Sequence, residues 1–242
     1  MEEAYQILDY LPQRFKNPKE QEYIEFLWKS FESNYKEENY QFALMAYHML
    51  FMSFVYFNVW QIKNNTEDDF QKSLIGFADR IEKNFNNASS PFTFSEEQEA
   101  KIFSFLKLIG VGKEKIGQYK KLVNDRNDIA HSNGNIYYQS TDAIDQKIHD
   151  YLRFAEEIQS HSNDLIQGCF TKFLLESVDI EEREYPDDND QINEILINEH
   201  YLSQKDIQFC ASVDITKFEG YENSESIQNL YNKLKEDYIE EE

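Results

Sequence analysis

Glycine and proline are scarce in this chain: seven and four among 242 residues. Folds made of short strands and tight turns draw on both, so the shortage argues against them and for helices. Cysteine occurs twice, at Cys169 and Cys210, which is too few for a disulfide framework. The N-terminus reads Met-Glu-Glu and has neither the basic nor the apolar part of a secretory signal. A reducing cytoplasm is the expected setting, with both thiols acting as small hydrophobes. The five histidines (His48, His131, His149, His161, His200) lie far apart, and none has zinc-ligand spacing with a cysteine. No metal and no cofactor is therefore expected. Positive charge is the last shortage: 24 Lys and Arg stand against 46 Asp and Glu, for a net charge of −22. Nucleic acid repels such a chain unless a local positive face exists.

Aromatic residues are abundant, with 19 Phe and 16 Tyr, so a large buried surface is available. Polar runs rich in Glu, Lys, Gln and Asn separate the apolar positions and favour helix. The pattern predicts an all-α fold, a helical bundle with an acidic C-terminal extension. Residues 1–18 read as a loose lead-in, 19–184 as the bundle, and 185–242 as an acidic subdomain or docking arm. Helices are expected over 19–36, 39–63, 67–87, from a capping box at Ser95–Gln98 to about Leu108, from Lys113 through the Arg126 region, and over 142–160 with Thr141 as cap. Gly110 and Gly112 break the chain between two of these, and Asn133-Gly134 supplies the left-handed residue that ends another. Weaker helices are expected at 189–202 and 223–239, with a short strand pair or irregular hairpin at 206–218.

From Phe42 to Ile62 no residue is charged and apolar side chains cover every face. Length alone would allow a membrane span. His48, Ser53, Asn58 and Gln61 within the segment, acidic flanks and the lack of a basic cluster point instead to the central helix of a bundle or a dimer seam. No membrane association is expected.

Charge is segregated. Residues 101–126 carry Lys101, Lys107, Lys113, Lys115, Lys120, Lys121 and Arg126 against only Glu114 and Asp125. Residues 176–242 carry 20 acidic and 5 basic side chains. The basic island leads into Arg126-Asn127-Asp128-Ile129-Ala130-His131. These six residues set a guanidinium, a carboxamide and an imidazole within two helical turns. Metal-free phosphodiester cleavage needs such groups: a proton carrier near neutrality and fixed positive charge for the phosphate oxygens. In a regular helix Arg126 and His131 lie about 140° apart, whereas Asn127 and His131 share a face. A common site then requires the long Arg126 stem to reach across, the helix to unwind before Gly134, or a second copy of the motif from another subunit.

The hexapeptide, with the preceding Asn124-Asp125, resembles the signature of the HEPN superfamily of helical-bundle ribonucleases and related domains: an Arg, a polar residue, a few variable positions, then a His. The likeness covers about residues 20–160. It implies an up-down helical bundle and a homodimer in which two motif helices build one cleft. It also implies metal-independent endoribonuclease activity leaving a 2′,3′-cyclic phosphate. Carried over, His131 is the general acid or base, Arg126 the clamp on the transition-state phosphate, and Asn127 the orienting residue. Lys120 and Lys121, assigned from position and charge alone, hold the RNA backbone. Some members carry a modifiable Tyr two residues after the His; Asn133 stands there, so that control is not expected.

The expected role is a toxin or antiviral defence effector that cleaves RNA, with the acidic extension as a restraint occupying the basic cleft. The alternative is a non-catalytic HEPN-like assembly module in a defence or toxin–antitoxin complex, bound to a regulatory protein. A neutralising partner for a basic toxin also suits the acidity but leaves the hexapeptide without a role.

Overall fold

The computed structural model describes residues 1–131, 134–221 and 223–239, and helices dominate it. Among the described residues there is no named strand; one isolated antiparallel bridge joins Pro12 and Ser203. The expected all-α class and bundle character are found.

The first residues are not loose. Glu3–Tyr10 is a 3-10 helix that buries Ala4 and Ile7, and the Tyr47 hydroxyl donates to the Ala4 carbonyl at 3.2 Å. Then α1 (Pro18–Lys36) starts with Pro18 in its first turn and Asn17 accepting from the Lys19 amide. It packs along α2 (Tyr40–Asn65). Having no charged side chain between Phe42 and Ile62, α2 loses nothing by being enclosed and becomes the central helix. Its mean hydropathy of 1.5 would suit a membrane, but 83% of the apolar window is buried within the protein.

The helix expected over 67–87 is broken into α3 (Glu67–Ser73) and α4 (Asp79–Asn86). Between them Gly76 adopts φ +94°, which side chains with a Cβ avoid. The capping box at Ser95–Gln98 does not form: Ser95 Oγ donates to the Phe92 carbonyl, and residues 91–96 make a 3-10 turn. Only α5 (Glu99–Ile102) is α-helical there, followed by a 3-10 segment Phe103–Ile109 that ends at Gly110 with φ +83°. Next come α6 (Lys113–Ala130), which carries the motif, and α7 (Thr141–Glu176). The α7 cap is Ser140 rather than Thr141, its hydroxyl accepting from the Ala143 amide. At 36 residues α7 runs well past the expected end at 160.

Two apolar clusters share α7. Ile144 to Ile158 pack in the first with α1, α2 and α6; Ile166 to Leu174 pack in the second. The second cluster also takes Gln191–Asn198, which continues α8 (Asp188–Asp190), together with α9 (Gln204–Ser212) and α10 (Ser224–Tyr238). The hairpin expected at 206–218 is thus α9 followed by a 3-10 turn at Thr216–Phe218. Ile207, Cys210 and Ala211 face inward at helical spacing, and a Ser203–Asp206 capping box fixes the start.

The acidic C-terminal residues grip the first cluster. The Gln13 amide donates to the Leu202 carbonyl, and Tyr201 lies within the first cluster. Asp206, 3% exposed, accepts from Gln61 of α2 at 3.2 Å, from Gln159 of α7 at 2.7 Å and from Ser203. Burial pushes its carboxyl upward while these donors oppose the rise. Among the described residues no ion pair links 176–239 to the basic stretch 101–126; Glu194 and Glu199 pair with Arg14 and Lys16 instead. The expected occupation of a basic cleft by tail carboxylates is therefore not seen.

Candidate active site

α6 ends where the motif ends. Its last helical residue is Ala130, and His131 has extended backbone angles (φ −86°, ψ 135°) with its amide donating to the Asn127 carbonyl. The helix end is held by Gln41 of α2, which donates to the Ile129 carbonyl at 3.5 Å and accepts from the Tyr137 amide at 3.0 Å. His131 is exposed and makes no side-chain hydrogen bond among the described residues. Gly134 has a positive φ of 80° but lies four residues past Ala130, so it is not the left-handed residue expected to end α6, whose cap is the extended His131; Asn133 lies outside the described residues.

Arg126 turns to a different neighbour. Its Nη2 donates to Glu99 Oε2 at 2.5 Å, and the same oxygen accepts from His48 Nε2 at 3.0 Å. An ionised carboxylate only accepts, so Nε2 carries a proton, and Nδ1 of His48 shares a hydrogen bond with the Tyr151 hydroxyl at 2.8 Å. His48 and Tyr151 are essentially sealed, while Arg126 keeps 27% of its side chain exposed. Burial pushes the Glu99 carboxyl up, but His48 and Arg126 outweigh it and hold the group below its usual range. The chain Tyr151–His48–Glu99–Arg126 thus fixes a guanidinium at the wall of an open cleft of about 670 Å³.

Arg126 lines this cleft and His131 does not. Within the chain the two are brought to the same end of α6 but not to one pocket. Lys121 lies in a different depression, with Lys147 and Arg153 opposed by Asp125 and Asp150. Lys120 is half-buried and, like Lys107, Lys113 and Lys121, forms no ion pair among the described residues. Three other members of the basic island are neutralised: Lys101 by Glu97, Lys115 by Glu157 and Arg126 by Glu99.

Sequence reading missed Glu99 and Tyr151. Glu99 lies 27 positions before Arg126, at the start of α5, so no local spacing ties the two. His48 did leave a signal, an imidazole inside an uncharged apolar run, where burial demands hydrogen-bond partners. Among the described residues no group of His, Cys, Asp and Glu is arranged to hold a metal ion. Chemically, the arrangement offers an oriented, permanently charged clamp and, about a helical turn away, an accessible imidazole. Compared with protein-family models, curated proteins and solved structures, the chain matches none.

Proposed function

We propose that the chain is a HEPN-type endoribonuclease, an up-down helical bundle acting as a homodimer through the end of α6 in a toxin or antiviral role. The observation that carries this reading is the state of the motif: Arg126 is rigidly oriented, and His131 leaves the helix at an exposed end. Such a half-site suits completion by a second copy. In this reading a 2′-hydroxyl attacks the adjacent phosphorus as His131 takes its proton. The 5′-oxygen leaves with a proton from an imidazolium, and a 2′,3′-cyclic phosphate remains. DNA lacks the nucleophile. Imidazole chemistry suits both proton transfers, since one ring nitrogen can accept a proton and the imidazolium can return it. Arg126 meets two phosphate oxygens as charge builds, and Asn127 orients the imidazole or the phosphate. Proton transfer contributes about 10²–10⁴ in rate. Lys120 and Lys121 would receive the flanking backbone.

The test is incubation of the purified protein with labelled RNA in EDTA. Cleavage lost in both Arg126→Ala and His131→Ala, with the fold intact, supports the proposal. The capture of Arg126 by Glu99 favours a second reading, a non-catalytic assembly module with a regulatory protein partner, because a neutralised guanidinium is a weaker phosphate clamp. No cleavage, with oligomerisation indifferent to both substitutions, selects that second reading.

A further inference from the structure

The cleft beside Arg126 has walls that phosphate chemistry does not use. Its apolar side is made by Tyr23 of α1, Met49, Met52 and Tyr56 of α2, and Phe92. Phe92 meets Tyr23 edge-on at 5.2 Å and Tyr56 at 6.3 Å, and all three rings line the cleft. Three carboxylates, Glu20, Glu97 and Glu99, share the cleft with two cations, Lys19 and Arg126.

Glu20 is the unusual member. It is 4% exposed and forms no ion pair among the described residues. Its oxygens accept one hydrogen bond each, from the Ser90 hydroxyl at 2.5 Å and the Tyr201 hydroxyl at 2.8 Å, which leaves a second lone pair on both. A carboxylate so enclosed without a counter-charge is costly. Tyr56 adds an independent sign. It is 7% exposed, lines the cleft, and its hydroxyl has no hydrogen-bond partner among the described residues. Glu99 contributes Oε1, which is likewise free of hydrogen bonds because both of its donors use Oε2.

Uncompensated carboxylate, open acceptors and aromatic walls together match one ligand chemistry. We propose that this cleft binds an organic cation, an alkylammonium or alkylguanidinium group, with its charged head on Glu20 and the Tyr56 hydroxyl and its carbon stem against Tyr23, Met49 and Phe92. Carboxylate pairing sets the affinity and the rings add cation–π attraction. The volume of about 670 Å³ accommodates a chain of several carbons. Two sources share this chemistry: a free diamine or guanidinoalkylamine, and an arginine or lysine side chain presented by a polypeptide. The site stands whether or not the chain cleaves RNA.

Calorimetric titration of the full-length protein at fixed ionic strength tests it. One arm uses agmatine and the other N-acetyl-arginine amide, with sodium phosphate and GMP as anionic probes. Saturable binding of a cationic probe is expected, weakened about tenfold in Glu20→Gln and several-fold in Tyr56→Phe. Agmatine binding alone assigns a free cation; tighter binding of the arginine amide assigns a presented side chain. Tyr56→Phe removes only an unpaired hydroxyl and keeps the test open should Glu20→Gln fail to fold. Absence of binding by both cations, binding indifferent to Glu20→Gln and Tyr56→Phe, or binding of the anions instead overturns the proposal.

Discussion

Glu99→Ala is the substitution from which the structure predicts most. One carboxylate oxygen serves a fully buried imidazole and a guanidinium that is 27% exposed, while the Glu99 side chain is itself 19% exposed. Removing it leaves the His48 Nε2–H without an acceptor in a sealed interior, a loss of about 1–3 kcal/mol. Arg126 loses its only ion pair among the described residues. Full burial would put that loss at about 3–5 kcal/mol, but partial solvation discounts it to about 1. The sum is about 3 kcal/mol, or a fall of roughly 6–12 °C in Tm for a chain of this size. Urea unfolding of the wild type, Glu99→Gln, Arg126→Gln and the double variant isolates the pair, with a coupling energy of about 1 kcal/mol expected. The pH dependence has a definite sign. The Glu99 carboxyl is held below its ordinary value of 4.5, so its contribution is complete above that pH. It is lost as pH falls through the lower folded value, and the deficit of Glu99→Gln should narrow in the same window. A coupling below about 0.3 kcal/mol together with a loss under about 0.5 kcal/mol would refute the reasoning.

Other outcomes follow from the same physics. Asp206→Ala strands donors from Gln61, Gln159 and Ser203 in a dry site; about 2–4 kcal/mol of stability should disappear in urea unfolding. Burial lowers His200 to about 4, and its Nδ1 has no partner. The folded state therefore resists protonating it, and stability should fall as pH drops from about 6.5 toward 4, by up to about 3 kcal/mol. A His200→Phe variant should show a flatter slope by thermal melting across that range. Deleting residues 185–242 removes Tyr201 from the first cluster and Asp206 from the α2–α7 junction. The truncated chain should aggregate or melt far below the wild type, rather than gain activity by release of a phosphate mimic.

What the sequence made legible was whatever has a period or a punctuation mark. The uncharged run of α2 announced a buried helix, because it holds no charge that water must solvate, and His48, Ser53, Asn58 and Gln61 find partners inside the protein. Gly110 marked a helix end through its backbone freedom, whereas α6 stops four residues before Gly134, at an extended His131. The motif helix α6 was placed within a residue of its observed start at Lys113. What failed did so where tertiary contacts override local preference. The strand pair or irregular hairpin expected over 206–218 does not form: Ile207, Cys210 and Ala211 are buried at helical spacing, α9 packs on α7 and α10, and a 3-10 turn follows. The Ser95–Gln98 pattern looked like a cap, yet Pro91 and the buried Phe94 pull that turn into 3-10 geometry. At the candidate site, the residue types Arg126, Asn127 and His131 could be read from the chain. Their placement in and out of the cleft, and the Glu99–His48–Tyr151 support behind Arg126, could not. Those partners come from α5, α2 and α7 and meet only after the bundle closes.

The central claim is that the Arg126–His131 end of α6 cleaves RNA through the ribose hydroxyl. The most direct measurement uses a cleaved oligonucleotide remade as DNA with a single ribonucleotide at the scissile position, incubated in EDTA and analysed by mass spectrometry. The account predicts one cut, 3′ to that ribonucleotide, ending in a 2′,3′-cyclic phosphate and absent with His131→Ala. Cutting that persists in the all-DNA oligonucleotide, or a product ending in a free 3′-hydroxyl, would contradict it.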